Sequence, residues 1–155
     1  IFWLEEPLPA EDYRGYKRLT ESTTLRIATG EEESGRQAFA RLIQESGVDV
    51  IQPDISRCGG LTEAKKIATL AADHNILMVP HAFKTGILVA ASIQLIASLP
   101  NVPFLEFSVT ESAIRKELLM NPFVQKDGFI VVPQKPGLGI EINPDVIKKY
   151  AVNMK

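Results

Sequence analysis

The chain has 155 residues, 45% of them hydrophobic and 23% charged, with a net charge of −2. That is one ordinary globular domain with enough apolar mass for a core. The charge offers no field for nucleic acid or an anionic membrane surface, and the single cysteine, Cys58, excludes an intramolecular disulfide framework and suits a cytoplasmic location.

The first element is "IFWLEEP" (1–7), an apolar run ending in the paired acids Glu5 and Glu6 before Pro7. Like charges at a strand end repel and must be desolvated, so an electropositive partner is expected there. Four more short apolar runs follow: "LRIATGE" (25–31), "VDVIQPD" (48–54), "ILMVPHA" (76–82) and "VPFLEF" (102–107). Their near-continuous apolar cores read as parallel strands buried on both faces. Helices fill the gaps. The stretch 34–47 starts at a possible Ser34 cap and stops at Gly47, with Ala38, Phe39, Leu42 and Ile43 facing inward. The next helix starts at Thr62, with Ala64, Ile67, Ala68 and Ala71 on one face, and 86–99 is apolar nearly all round, hence a buried helix. It is too short to span a bilayer. From 127 the pattern changes to two extended pieces around a Pro/Gly turn, then a small helix after Pro144.

Strands recur about every 25 residues, as in successive right-handed β/α units. Such units build an open doubly wound sheet or a closed barrel, and a complete barrel needs eight strands in typically ~250 residues. Five strand candidates are present, so if the units close into a barrel about three strands are missing. The start at Ile1, inside an apparent strand, fits a fragment.

The five runs end at Glu5, Glu31, Asp54, His81 and Glu106. Carboxyl ends of parallel strands open onto one face, where ligands bind. With nineteen acids and two histidines in the whole chain, five such residues at five strand ends predict a convergent acidic site. Clustered carboxylates call for a hard cation such as Mg²⁺. Each residue also has an ordinary reading. Glu31 opens the run Glu31–Glu33, which alone suggests a solvated surface; Asp54 could cap a turn, and His81 could be a core histidine. His74 lies in a polar helix end and receives no role. Cys58 beside Gly59 and Gly60 reads as a space filler, while Arg57 and Lys84, just past Asp54 and His81, could touch an anionic substrate or be ordinary exposed loop cations. The order of the five argues for chemistry more strongly than any one of them.

The series "WLEEP … TGE … QPD…GG…TEA … PHA … LEF" resembles the enolase superfamily, specifically its mandelate-racemase-like subgroup, over essentially the whole chain. The resemblance implies a partial TIM-type (β/α) barrel over 1–126, with five parallel strands, and a tail over 127–155 that packs towards an N-terminal capping domain. It implies Glu5 and Glu31 as Mg²⁺ ligands, with Glu6 pointing away. Asp54 and His81 match the subgroup's dyad, in which the aspartate holds a histidine acid or base. Glu106 matches the last-strand acid that bonds the substrate carboxylate or enolate. The family's third carboxylate, its Lys-x-Lys base and its cap are absent from this sequence. By this resemblance the parent is an Mg²⁺-dependent enzyme that removes a proton alpha to a carboxylate through an enediolate. The leading expectation is an acid-sugar dehydratase, with a racemase, epimerase or cycloisomerase as the alternative. The expected substrate is a small carboxylate, an acid sugar or 2-hydroxy acid, and the chain alone is expected to be inactive, or a non-catalytic fold fragment. Open strand edges and an open apolar face predict homo-oligomeric association.

Overall fold

The computed structural model describes residues 1–100, 102–110 and 112–152. Four strands form one sheet in sequential order, all parallel: β1 (Trp3–Glu5), β2 (Arg26–Thr29), β3 (Val50–Ile51) and β4 (Leu77–Met78). Between them run α1 (Tyr13–Ser22), α2 (Gly35–Ser46) and α3 (Leu61–Asp73), each packed on the next, and α4 (Gly86–Ala97) follows β4.

Strand alternation sorts the two faces. Ile27, Ile51 and Met78 point to the helices and share the main core with Tyr16, Phe39, Leu42, Ile67 and Leu95. The paired positions Ala28, Val50 and Leu77 point the other way, where they meet Trp3 and Val79 on the inward face of the partial barrel. Each large apolar side chain buried in that core contributes about 1.5–3 kcal/mol, so the outer layer of α1–α3 is held by the sheet rather than by helix propensity. α2 begins and ends as the sequence predicts, its C-cap Gly47 in the left-handed region (φ 68°). α3 starts one residue earlier than expected, on Gly60 as N-cap instead of at Thr62. α4 is buried over most of its length.

The expected fifth strand is corrected. Residues 102–107 form no ladder, leaving four strands among the described residues. Pro103 offers no backbone N–H to a neighbour. The Phe104 ring instead packs against Phe2 at 5.2 Å and Trp3 at 6.3 Å, near the opposite edge of the sheet. Leu105 and Phe107 also join Ala82, Val89 and Ile93 in a separate cluster completed by Phe123, Ile130 and Val132.

A short helix, α5 (Ala113–Glu117), was not legible in the sequence; α6 (Pro144–Tyr150) was, with Asn143 capping Asp145 N–H and proline at the first turn. The two extended pieces after 127 form no hairpin ladder; isolated antiparallel bridges join Lys126 with Phe129 and Leu119 with Ile142. No helix among the described residues is long and apolar enough to cross a membrane.

Candidate active site

The carboxyl ends of all four strands, with the 102–107 segment, bring the five expected residues to one end of the sheet. Asp54 lies three residues past β3 with no exposed surface. Its Oδ1 accepts from Ser56 N–H at 2.7 Å and Ser56 Oγ at 2.6 Å. Its Oδ2 faces His81 Nδ1 at 3.0 Å and Lys84 Nζ at 3.1 Å. Burial works to raise the Asp54 pKa, but these hydrogen bonds outweigh it and hold the carboxyl below the usual range. His81, three residues past β4 and 8% exposed, stacks flat on Phe83 at 5.0 Å. Its Nε2 faces Glu31 Oε2 at 3.2 Å.

Glu31 is delivered by Gly30, whose φ of 124° favours glycine and whose missing side chain matters. A Cβ there would sit 3.1 Å from Phe39 and 3.3 Å from Gln52 N. Burial raises the Glu31 pKa first, His81 opposes this, and Glu6, Glu32 and Glu5 add to it. Glu106 is pushed up to about 7, by burial first and then by Glu5, with Glu31 adding and His81 opposing. Its Oε2 is buried and has no hydrogen-bond partner among the described residues. Glu5 is exposed and accepts from Trp3 Nε1 at 2.9 Å. Glu6, with φ 40°, turns aside to accept from Thr29 Oγ1 at 3.1 Å. The opening puzzle of paired acids thus resolves locally, since the two carboxylates diverge and the outer one is solvated.

Of the two readings open for Arg57 and Lys84, substrate contact or exposed loop cation, the structure shows both engaged with protein acids. Lys84 bonds the dyad aspartate, and Arg57 pairs with Glu32. Two features escaped sequence reasoning. Gln52 is 1% exposed with neither amide atom bonded among the described residues; it lies two residues from Val50 and from Asp54, so the period of two was its one available signal. Ser56 was missed because an aspartate-to-serine turn bond looks like any other Asx turn.

Oxygen donors on Glu5 and Glu31 are what a hard divalent cation takes, and the upward-shifted Glu31 and Glu106 mark a place where positive charge would be stabilising. Yet no group of three or more His, Cys, Asp or Glu side chains is arranged to hold a metal ion among the described residues. The donors fit in kind and fall short in number.

The family model for enolase C-terminal domain-like proteins matches residues 1–146. The chain belongs to this family. It is 36% identical to a D-galactarolactone cycloisomerase of Agrobacterium fabrum, over 97% of this chain and 42% of that protein. It is 34% identical to a D-xylonate dehydratase of Haloferax volcanii, over 98% of this chain and 37% of that protein. The crystal structure of the 3,6-anhydro-D-galactonate cycloisomerase from Zobellia galactanivorans superimposes with a TM-score of 0.91 at 44% identity, covering 97% of this chain and 42% of that one. The chain therefore spans about two fifths of its relatives' length, and it is a partial barrel of the mandelate racemase/muconate lactonizing enzyme type. Relatives of this enolase-superfamily segment are named dehydratases and cycloisomerases.

Proposed function

We propose that this chain carries the acid–base half of an acid-sugar lyase or isomerase, which removes a proton alpha to a carboxylate and then expels an oxygen from the beta carbon. The observation that carries the reading is the dyad: His81 Nδ1 lies 3.0 Å from a fully buried, hydrogen-bonded aspartate while Nε2 faces the site at Glu31. Asp54 fixes the proton on Nδ1 and leaves Nε2 to take the substrate proton. Ser56 and Lys84 keep Asp54 an anion, so it supports the imidazolium without accepting its proton. Glu106, half protonated near neutrality, can donate a hydrogen bond to the oxygen that gains charge as the enediolate forms. Glu5 and Glu31 would hold Mg²⁺, with a further carboxylate supplied by the strands the relatives have before this segment. That ion, when bound, offsets negative charge on the substrate oxygens.

Expelling a beta hydroxyl is dehydration, the outcome favoured from the sequence. Expelling a beta oxygen that belongs to a ring opens the ring without losing an atom, which is an isomerisation. The 44% identity to a cycloisomerase supports this second outcome. Both need the same proton abstraction, so one residue set serves either.

The test is a chimera in which this chain replaces the matching 42% of the A. fabrum cycloisomerase. Incubated with acid sugars and their lactones or anhydro forms, it is expected to release a 2-keto-3-deoxy acid, and His81→Asn should abolish this. Recovery of a C2 epimer with the beta oxygen retained would replace this reading with a racemase or epimerase.

A further inference from the structure

The loop between β4 and α4 leaves one large apolar side chain in the open. Phe83 is 44% exposed, yet its ring lies against the nearly buried imidazole of His81. The two ring planes differ by only 2°, with centroids 5.0 Å apart. Aromatic faces in contact lie about 3.5–4 Å apart, so the Phe83 ring is slipped sideways and covers only part of the imidazole. The Nδ1 side of the imidazole is closed. Asp54, without exposed surface, holds Nδ1 at 3.0 Å, and Lys84 reaches the same aspartate oxygen at 3.1 Å. Nε2 points the other way, towards Glu31, whose side chain keeps 26% of its surface.

A C–H group that gives its proton to Nε2 meets the nitrogen along its lone pair, in the plane of the imidazole. Because the two rings are parallel, that plane runs over Phe83 at the height of a van der Waals contact, about 3.5–4 Å. An aromatic face is weakly negative and a C–H group weakly positive, so a compound with several C–H groups on one side settles on such a face. A sugar closed into a ring, as a lactone or an internal ether, holds its C–H groups that way. An open-chain acid sugar turns about each bond and loses more rotational freedom when it presents the same surface.

We propose that Phe83 determines specificity, its exposed face on the Nε2 side of His81 carrying the ring of a cyclic acid sugar and favouring it over open-chain acids. This rests on the reading of His81 as the base. Phe83 moves no proton. It carries the ring that begins at the beta carbon, and so brings the alpha C–H to Nε2. The elimination then balances without a co-reactant: the alpha proton passes to His81, the bond from the beta carbon to the ring oxygen breaks, and the freed oxygen takes up a proton.

The test uses the chimera described above, with Mg²⁺ supplied, and compares a cyclic acid sugar with its open-chain counterpart. Affinity is read as KM, or as an inhibition constant where a compound is not turned over. Phe83→Leu removes the aromatic face but keeps apolar bulk beside His81. It is expected to weaken the cyclic compound about 3- to 10-fold more than the open-chain one, while Phe83→Trp keeps the preference. Equal effects of Phe83→Leu on both compounds overturn the assignment, because a residue that only braces His81 moves both together. A preference lost equally in Phe83→Trp overturns it as well. A chimera inert on every acid sugar refutes the reaction and leaves Phe83 to calorimetry with a neutral sugar lactone and the matching alditol. Tighter lactone binding that Phe83→Leu abolishes supports the stacking face, and equal affinity for the two overturns it.

Discussion

A carboxylate without exposed surface stays ionised only when neighbours replace its lost water, and Asp54 has four such contacts, from Ser56 (two), His81 and Lys84. Asp54→Asn puts an NH₂ group where one of those donors points. The expected cost is about 2–4 kcal/mol of stability near pH 7, since Lys84 and His81 lose the charge they face. Urea unfolding measures it, and a loss below that range would show that solvent screens these contacts. Glu106 gives a prediction of opposite sign. Its folded pKa is near 7, above its ordinary value near 4.5, so between those limits the native state keeps a proton the unfolded state has released. Stability therefore falls as pH rises through that window and levels off above it. Glu31, also shifted up, pushes in the same direction. Glu106→Gln should flatten the decline of the melting temperature between pH 4.5 and 7 without abolishing it; parallel curves for the two proteins would contradict the assigned shift.

Helix ends show how far an element can be read from its residue types. Ser34 stands at the N-cap position of α2 with extended backbone, as its residue type suggests, yet its hydroxyl makes no cap bond and donates to the Arg57 carbonyl at 3.0 Å. Asp12 does cap α1, accepting from Gly15 N–H at 2.8 Å. Asp12→Ala should cost about 1 kcal/mol and Ser34→Ala at most about 0.5 kcal/mol. Equal losses in chemical denaturation would show that the difference in bonding is not felt. Gly47 and the all-apolar 86–99 stretch were legible because backbone sterics and burial are local properties. The 102–107 run was misread as a strand because its apolar character is real but its pairing is not local. Whether such a run joins a ladder depends on the neighbouring strand, and Phe104 found Trp3 and Phe2 instead. The convergence of Asp54, His81 and Glu31 was legible for the converse reason: parallel β/α units fix which end of every strand faces the site. Lys84 on Asp54 and Phe83 against His81 depend on loop paths that no periodicity encodes.

At the scale of the molecule, a partial barrel leaves its chemistry and its surface incomplete together. Glu5 and Glu31 are engaged by Trp3 and His81, and no third donor joins them among the described residues. Mg²⁺ asks for near-ideal octahedral oxygen geometry, so calorimetry on this chain should show weak binding or none. Tight, stoichiometric heat would mean that another carboxylate, such as Glu106, swings in as a ligand. The same incompleteness governs association. β1 pairs with β2 alone among the described residues, and beside its other edge Ile1, Phe2 and Leu4 are exposed, Phe2 by 45% and Leu4 by 41% even with Phe104 packed nearby. An open parallel edge flanked by apolar side chains is a template for another chain. The expected outcome is concentration-dependent association in light scattering, with binding of a hydrophobic dye. Phe2→Lys and Leu4→Lys should each reduce both signals while leaving the helical circular dichroism unchanged, because neither side chain belongs to the core between sheet and helices. A monomer at high concentration that binds no dye would mean that the 102–107 segment, already lying against Phe2, is cover enough for the inward face.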